Sequence, residues 1–157
     1  MIALAKTARI LQGWSVLHGS AENYFVEVIR SVGGDPKRAA LELGRVGGDW
    51  KLPGFGVPIA AEALRNLGFD LSKPDRHVCR AVGSFGLVEF RRWTDRSGTK
   101  APSPRIEEMM KVMAAVESFA RGVGVRATFL DNAIWLLCAR SGCHLTNEEL
   151  SALALPS

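Results

Sequence analysis

Two stretches of the chain gather residue types able to do chemistry. Leu52-Pro53-Gly54-Phe55-Gly56 joins a proline, which fixes one backbone dihedral, to two glycines, which accept conformations and close approaches closed to bulkier residues. The run VPIAAEALRNL that follows, from Val57 to Leu67, is alanine-rich and amphipathic, so the turn feeds straight into a helix start. Free N–H groups at such a start, aligned with the helix dipole, make an anion site that holds a phosphate without reading a base. Taken alone, Pro-Gly-x-Gly is equally an ordinary helix-to-helix turn. The second stretch is Lys73-Pro74-Asp75-Arg76-His77-Val78, whose Asp75 lies 17 residues after Pro58 at or near another helix start. Its carboxylate there is either a cap for the helix or a group free to act on a ligand.

Charge clusters beside the second stretch. Between Lys73 and Arg105 there are eight basic residues (Lys73, Arg76, Arg80, Arg91, Arg92, Arg96, Lys100, Arg105) and three acidic ones (Asp75, Glu89, Asp95), a local balance of +5. The whole chain carries +4, so the remainder sums to −1. A basic segment near a phosphate-binding turn fits a footprint on a nucleic-acid backbone; without the turn it would be a solvated loop.

Helices must position both stretches, since no segment alternates apolar and polar residues between turn clusters. The chain is expected to be all-α. The pattern predicts a first helix near Ala3 to Gln12, and a second from about Ala21 to Val32 with Ser20 as cap and Gly33-Gly34 as stop. A third opens at Asp35-Pro36 and fades at Gly44 or Gly47-Gly48. The fourth is Val57 to Leu67, stopped by Gly68, and the fifth runs from Pro74-Asp75 to about Val82. Gly83 to Pro102 is a long basic loop in this reading. Ser103-Pro104 starts a long helix with a core stripe of Ile106, Met109, Met110, Met113, Val116 and Phe119, and with Glu117 and Arg121 paired on another face. The segment from Val125 to Ala139 is apolar almost all round, as expected of a helix at the centre of a bundle. Thr146 with Glu149 forms a capping box for a short last helix.

The stretch from Trp50 to Gly86 resembles the helix-hairpin-helix (HhH-GPD) DNA glycosylases, the superfamily of endonuclease III and the 8-oxoguanine glycosylases. Leu52-Pro53-Gly54-Phe55-Gly56 with Ala60 is similar to that family's hairpin, and Asp75-Arg76-His77-Val78 with Arg80 to the segment carrying its catalytic aspartate. The resemblance implies one compact helical bundle over residues 1–157, with the hairpin motif at 50–68 and the catalytic segment at 73–86. It implies that Gly54 and Gly56 present amides to a DNA phosphate, and that carbonyls of Leu52 and Gly54 ligate a monovalent cation, K+ or Na+. Asp75 would be the catalytic carboxylate, stabilising the positive charge that builds on the sugar and aligning the attacking water. The target nucleotide would first be flipped out of the duplex.

Two departures from the family narrow the expectation. Members that also nick the strand carry a lysine two residues after the last hairpin glycine; here that position is Pro58, which has no nucleophile. A hydrolytic, monofunctional glycosylase acting on a damaged or modified base of double-stranded DNA is therefore expected. Some relatives hold an iron-sulfur cluster with four cysteines, whereas this chain has three, Cys79, Cys138 and Cys143, so no cluster is expected. Cys138, Cys143 and His144, with His18, are weighed as a zinc set against inert thiols and a surface histidine.

Further DNA contacts are expected from Gln12, Lys51, Lys73, Arg76, His77, Arg80, Arg91, Arg92 and Trp93, and Trp50 is a second candidate for stacking on a base. Asp131 is the alternative carboxylate, with a plainer role as a helix-start or buried hydrogen-bond partner. The first residues lack the arrangement of a secretory signal, and no run approaches the roughly 18 apolar residues of a membrane span. A monomeric, cytoplasmic protein is expected, nucleoid-associated if its source is bacterial. The competing reading is a noncatalytic hairpin module binding DNA or a protein, with Asp75 only a cap.

Overall fold

The computed structural model describes residues 2–92 and 104–140, with side chains to residue 137. Seven helices and no strand occur among the described residues, as expected of an all-α chain. By its contacts the chain divides into two compact units, Met1–Asp70 and Leu71–Ser157. No helix among the described residues is long and apolar enough to cross a membrane.

The first unit holds α1 (Ile2–His18), α2 (Glu22–Ser31), α3 (Pro36–Gly44) and α4 (Val57–Asn66). α3 starts where its sequence says it should: the Asp35 carboxylate accepts from the Lys37 amide at 2.9 Å, and Pro36 occupies a first-turn position that needs no N–H. α3 and α4 are the two arms of the hairpin. Ala39, Ala40 and Leu43 from one arm and Ala60, Ala61 and Leu64 from the other are fully buried, because alanines let two backbones approach where larger side chains would hold them apart. Gly44 is the tightest point: a Cβ there would lie 2.5 Å from the Val57 nitrogen and 2.6 Å from its Cα. Leu52, also fully buried, donates its amide to the Leu43 carbonyl at 3.3 Å and ties the turn to the end of α3.

Within this unit α1 and α2 depart from the expected boundaries. α1 runs on to His18 rather than ending near Gln12, although only Thr7 on it is buried. α2 begins at Glu22, and Ser20 accepts from the Glu22 amide at 3.1 Å from just outside the helix instead of capping it.

In the second unit are α5 (Arg76–Ser84), α6 (Ile106–Gly122) and α7 (Ala127–Arg140). Val78, Cys79 and Val82 of α5 pack with Val88, Phe90, Val112 and Val116, and Ala115, Leu130 and Ile134 close the cluster. α5 continues to Ser84, so the loop expected from Gly83 starts two residues later and turns at Gly86, whose φ is +72°. The buried stripe of α6 is Glu108, Val112, Met113, Val116 and Ala120; Ile106 and Phe119, expected in the core, are exposed. The Glu117–Arg121 ion pair forms at 2.9 Å. α7 does not have the all-round burial expected of a central helix, since Phe129, Trp135, Leu136 and Leu137 are exposed while Asp131 is buried. The helix expected after Thr146, and Arg96 and Lys100 of the basic segment, lie outside the described residues.

Glu108 is a buried charge with an assignment. Its two carboxylate oxygens accept from the backbone amides of Arg91 at 2.8 Å and Arg105 at 2.6 Å, tying the chain just after Phe90 to the residue that precedes α6. Those amides hold its pKa below the ordinary glutamate range.

The Gly44 contact predicts that Gly44→Ala costs about 2 kcal/mol or more of unfolding free energy, because the obstacle is backbone and cannot move aside. Gly13→Ala, on α1 with nothing within 4 Å, instead gains up to about 1 kcal/mol. Equal urea midpoints for the two variants contradict this packing. For Glu108 the folded pKa is lowered, so its contribution is present above the ordinary carboxylate range and is lost as pH falls through the folded value. Melting temperatures taken from neutral to acid pH fall more steeply for wild type than for Glu108→Gln; parallel curves contradict this tie.

Candidate functional site

The hairpin turn is built by three inward hydrogen bonds and one left-handed glycine. Gly54 has φ +82°, and a Cβ on it would come within 3.1 Å of the Ala3 Cβ, so both the conformation and the space call for glycine. The Phe55 amide closes the turn on the Leu52 carbonyl at 3.0 Å. The Thr7 hydroxyl of α1 donates to the Pro53 carbonyl at 2.6 Å, and the Lys51 ammonium donates to the Phe55 carbonyl. Partial burial of Lys51 pushes its pKa down.

α4 then starts without a side-chain cap. Gly56 is the N-cap in extended backbone, its carbonyl accepts from the Ala60 amide at 2.9 Å, and Pro58 falls in the first turn. The amides ahead of Ala60 have no carbonyl one turn behind them, and Pro58 contributes none. Gly54 is exposed and Gly56 half-exposed, so the glycine end of the turn faces solvent while its carbonyls at Leu52, Pro53 and Phe55 face protein donors. That arrangement suits an anion. Of the carbonyls expected to ligate K+ or Na+, that of Leu52 also accepts from the Phe55 amide, and an ammonium bonds the same turn at Phe55.

Trp50, the second candidate for stacking on a base, is half-buried and belongs to an aromatic cluster. Its ring meets Trp14 at 5.8 Å and Tyr24 at 5.4 Å, and the Tyr24 hydroxyl donates to the Trp50 carbonyl at 3.1 Å. His18, weighed as a zinc ligand, stacks on Trp14 at 4.0 Å. Gln12 is exposed on α1.

In the second unit Asp75 is the N-cap of α5. Its Oδ1 accepts from the amides of His77 at 2.9 Å and Val78 at 3.1 Å, satisfying two first-turn donors. Its Oδ2 is outside that capping pair and lies 3.9 Å from the Lys73 ammonium. One oxygen thus fixes the rotamer while the other lies near the Lys73 ammonium. Asp131 turns out to be the support for this segment: buried on α7, it accepts from the Lys73 amide at 2.7 Å, and the Thr128 hydroxyl donates to the Leu71 carbonyl at 3.4 Å. His77 accepts from the Arg76 guanidinium at 3.3 Å and presents its ring edge to Trp135 at 6.4 Å, where Trp135 is 44% exposed. Trp135 is therefore a neighbour of the Asp75 segment.

The basic candidates divide by exposure. Arg76, Arg91 and Arg92 are exposed, Lys73 is half-buried, and Arg80 is only 9% exposed. Trp93, Cys138, Cys143 and His144 lie outside the described residues. Cys79 is buried, and burial, followed by the charges of Asp75 and Glu108, pushes its thiol up to about 12. Among the described residues no three His, Cys, Asp or Glu side chains gather as metal ligands.

An apolar cavity of about 380 Å³ lies between α5, α6 and α7, lined by Val82, Phe85, Leu87, Val116, Phe119, Leu130 and Ile134. It adjoins the C-terminal end of α5, whereas Asp75 caps the N-terminal end; nine residues of helix separate them by roughly 13 Å.

The chain is similar to an 8-oxoguanine DNA glycosylase/AP lyase of Aquifex aeolicus, with 30% identity over 112 residues. The matched residues are 71% of this chain and 41% of that protein, so the chain spans well under half of the relative's length. No protein-family profile and no solved structure matches the chain.

Capping and chemistry at Asp75 are separable by substitution. Asparagine caps as well as aspartate, so Asp75→Asn leaves the unfolding midpoint close to wild type, whereas Asp75→Ala loses about 1 kcal/mol. Equal stability for the alanine variant in urea unfolding contradicts the cap.

Proposed function

We propose that this chain is a DNA glycosylase of the helix-hairpin-helix class that hydrolyses the N-glycosidic bond of a flipped-out, damaged or modified base in double-stranded DNA. The observation that carries the reading is the disposition of Asp75: one oxygen is spent on the helix start and the other lies outside that pair, beside Lys73. A carboxylate held in this way stabilises charge developing on a sugar and orients water without having to be immobilised at the moment of reaction. The uncapped, glycine-led start of α4 supports a phosphate contact, and the similarity to a protein named as a glycosylase/lyase supports the reaction class.

Lyase action is not carried over from that relative. Pro58 stands at the second position of α4 and has no amine to form a Schiff base, so the proposed enzyme is monofunctional. Exposed Arg76, Arg91 and Arg92 would add sequence-independent affinity for the DNA backbone.

A second reading keeps the phosphate contact and drops the chemistry. Its support is that capping alone already accounts for Asp75 Oδ1. The two readings part on Asp75→Asn, assayed for base release and for duplex affinity together. The enzyme reading expects release to fall by at least about a hundredfold with duplex affinity retained, and affinity to drop steeply with added salt. Release at the wild-type rate assigns Asp75 to capping only, and a borohydride-trapped enzyme–DNA adduct overturns the monofunctional assignment.

A further inference from the structure

The two side-chain donors of the hairpin bond carbonyls of particular peptides. Thr7 bonds the Pro53 oxygen, and the N–H of that same peptide plane belongs to Gly54. Lys51 bonds the Phe55 oxygen, and the N–H of that plane belongs to Gly56. Both peptides are trans, so in each the N–H points away from the carbonyl. Fixing the two oxygens therefore fixes the two glycine amides in the opposite direction.

We propose that Thr7 and Lys51 are the positioning residues of the hairpin's phosphate contact, and that the Lys51 ammonium serves as its built-in monovalent cation. This deepens the proposed function and rests on its reading that the glycine amides bind phosphate.

The physical case has three parts. Glycine peptides are the most freely rotating in a chain, so amides contributed by Gly54 and Gly56 lose direction unless something holds the other side of each plane. Thr7 is buried on α1, and Lys51 is half-buried with its backbone held by the bond from its amide to the Gly48 carbonyl at 3.1 Å. A donor on a carbonyl also polarises its peptide and strengthens the N–H as a donor in its turn. An ammonium does this more strongly than a hydroxyl and brings a positive charge to the turn that meets the anion. A dissociable K+ supplies the same polarisation only at the concentration of the salt; a lysine tethered four residues from its carbonyl supplies it always.

The test is binding of a fluorescein-labelled duplex at one ionic strength, in KCl and in tetramethylammonium chloride, by wild type, Thr7→Ser, Thr7→Val, Lys51→Arg and Lys51→Met. Wild type binds equally in the two salts. Thr7→Ser and Lys51→Arg stay within about threefold of it, while Thr7→Val and Lys51→Met lose about tenfold or more in affinity. Lys51→Met regains part of its loss in KCl but not in tetramethylammonium chloride, a response that a merely structural lysine would not give. Wild-type binding that needs K+ overturns the proposal, as does wild-type affinity in both Thr7→Val and Lys51→Met. Wild type that binds no duplex in either salt instead overturns the phosphate reading beneath it. If Lys51→Met does not fold, salt independence of wild type and the contrast between Thr7→Ser and Thr7→Val carry the decision.

Discussion

The first turn of an α-helix exposes amides that have no carbonyl behind them, and what the chain does with those amides organises both of its candidate sites. At α3 and α5 an aspartate takes them, Asp35 and Asp75. At α6 Glu108 reaches back to the Arg105 amide just before the helix. At α4 no side chain does so: Gly56 has none to offer, and Pro58 removes one donor without covering the others. The same constraint, met at one helix and left open at another, yields a fixed carboxylate in one unit and an anion-ready turn in the other.

Leaving a helix start open requires the surrounding turn to be rigid for other reasons. Here the rigidity comes from close backbone approach, since Gly44 has no room for a Cβ beside Val57, and from donors that hold the carbonyls of Pro53 and Phe55. α1 has few buried residues, yet it delivers Thr7 to Pro53 and sets Ala3 against Gly54. In the second unit the comparable brace is Asp131, a buried carboxylate spent on the backbone of the segment that leads into Asp75.

Much of this was legible in the sequence where the cause is local. Asp35-Pro36 specifies a helix start through a side chain and a fixed dihedral within two residues, and it starts α3. The five residues of the turn and the position of Asp75 were legible for the same reason, as were the stops at Gly34 and Gly68. Causes that act across the fold were not. Nothing around Thr7 marks it as the partner of a carbonyl 46 residues away, and Asp131 bonds an amide 58 residues distant. The faces of α6 and α7 were misjudged for a related reason: apolar side chains at helical spacing fit several rotations of a helix, and only packing chose the one that buries Val112 and Ala120 and exposes Phe119. The aromatic cluster around Trp50 was not legible either, because aromatic residues serve packing and stacking alike and their neighbours come from distant parts of the sequence.

The central claim is that the chain breaks an N-glycosidic bond by hydrolysis and leaves the strand intact. The most direct measurement incubates the wild-type protein with end-labelled duplexes carrying uracil, 8-oxoguanine, alkylated purines or bulky modified cytosines, and analyses free bases by mass spectrometry and strands by gel before and after alkali. The account predicts a free base from at least one duplex, with strand cleavage appearing only after alkali. Strands nicked before alkali, or no free base from any duplex, would contradict it.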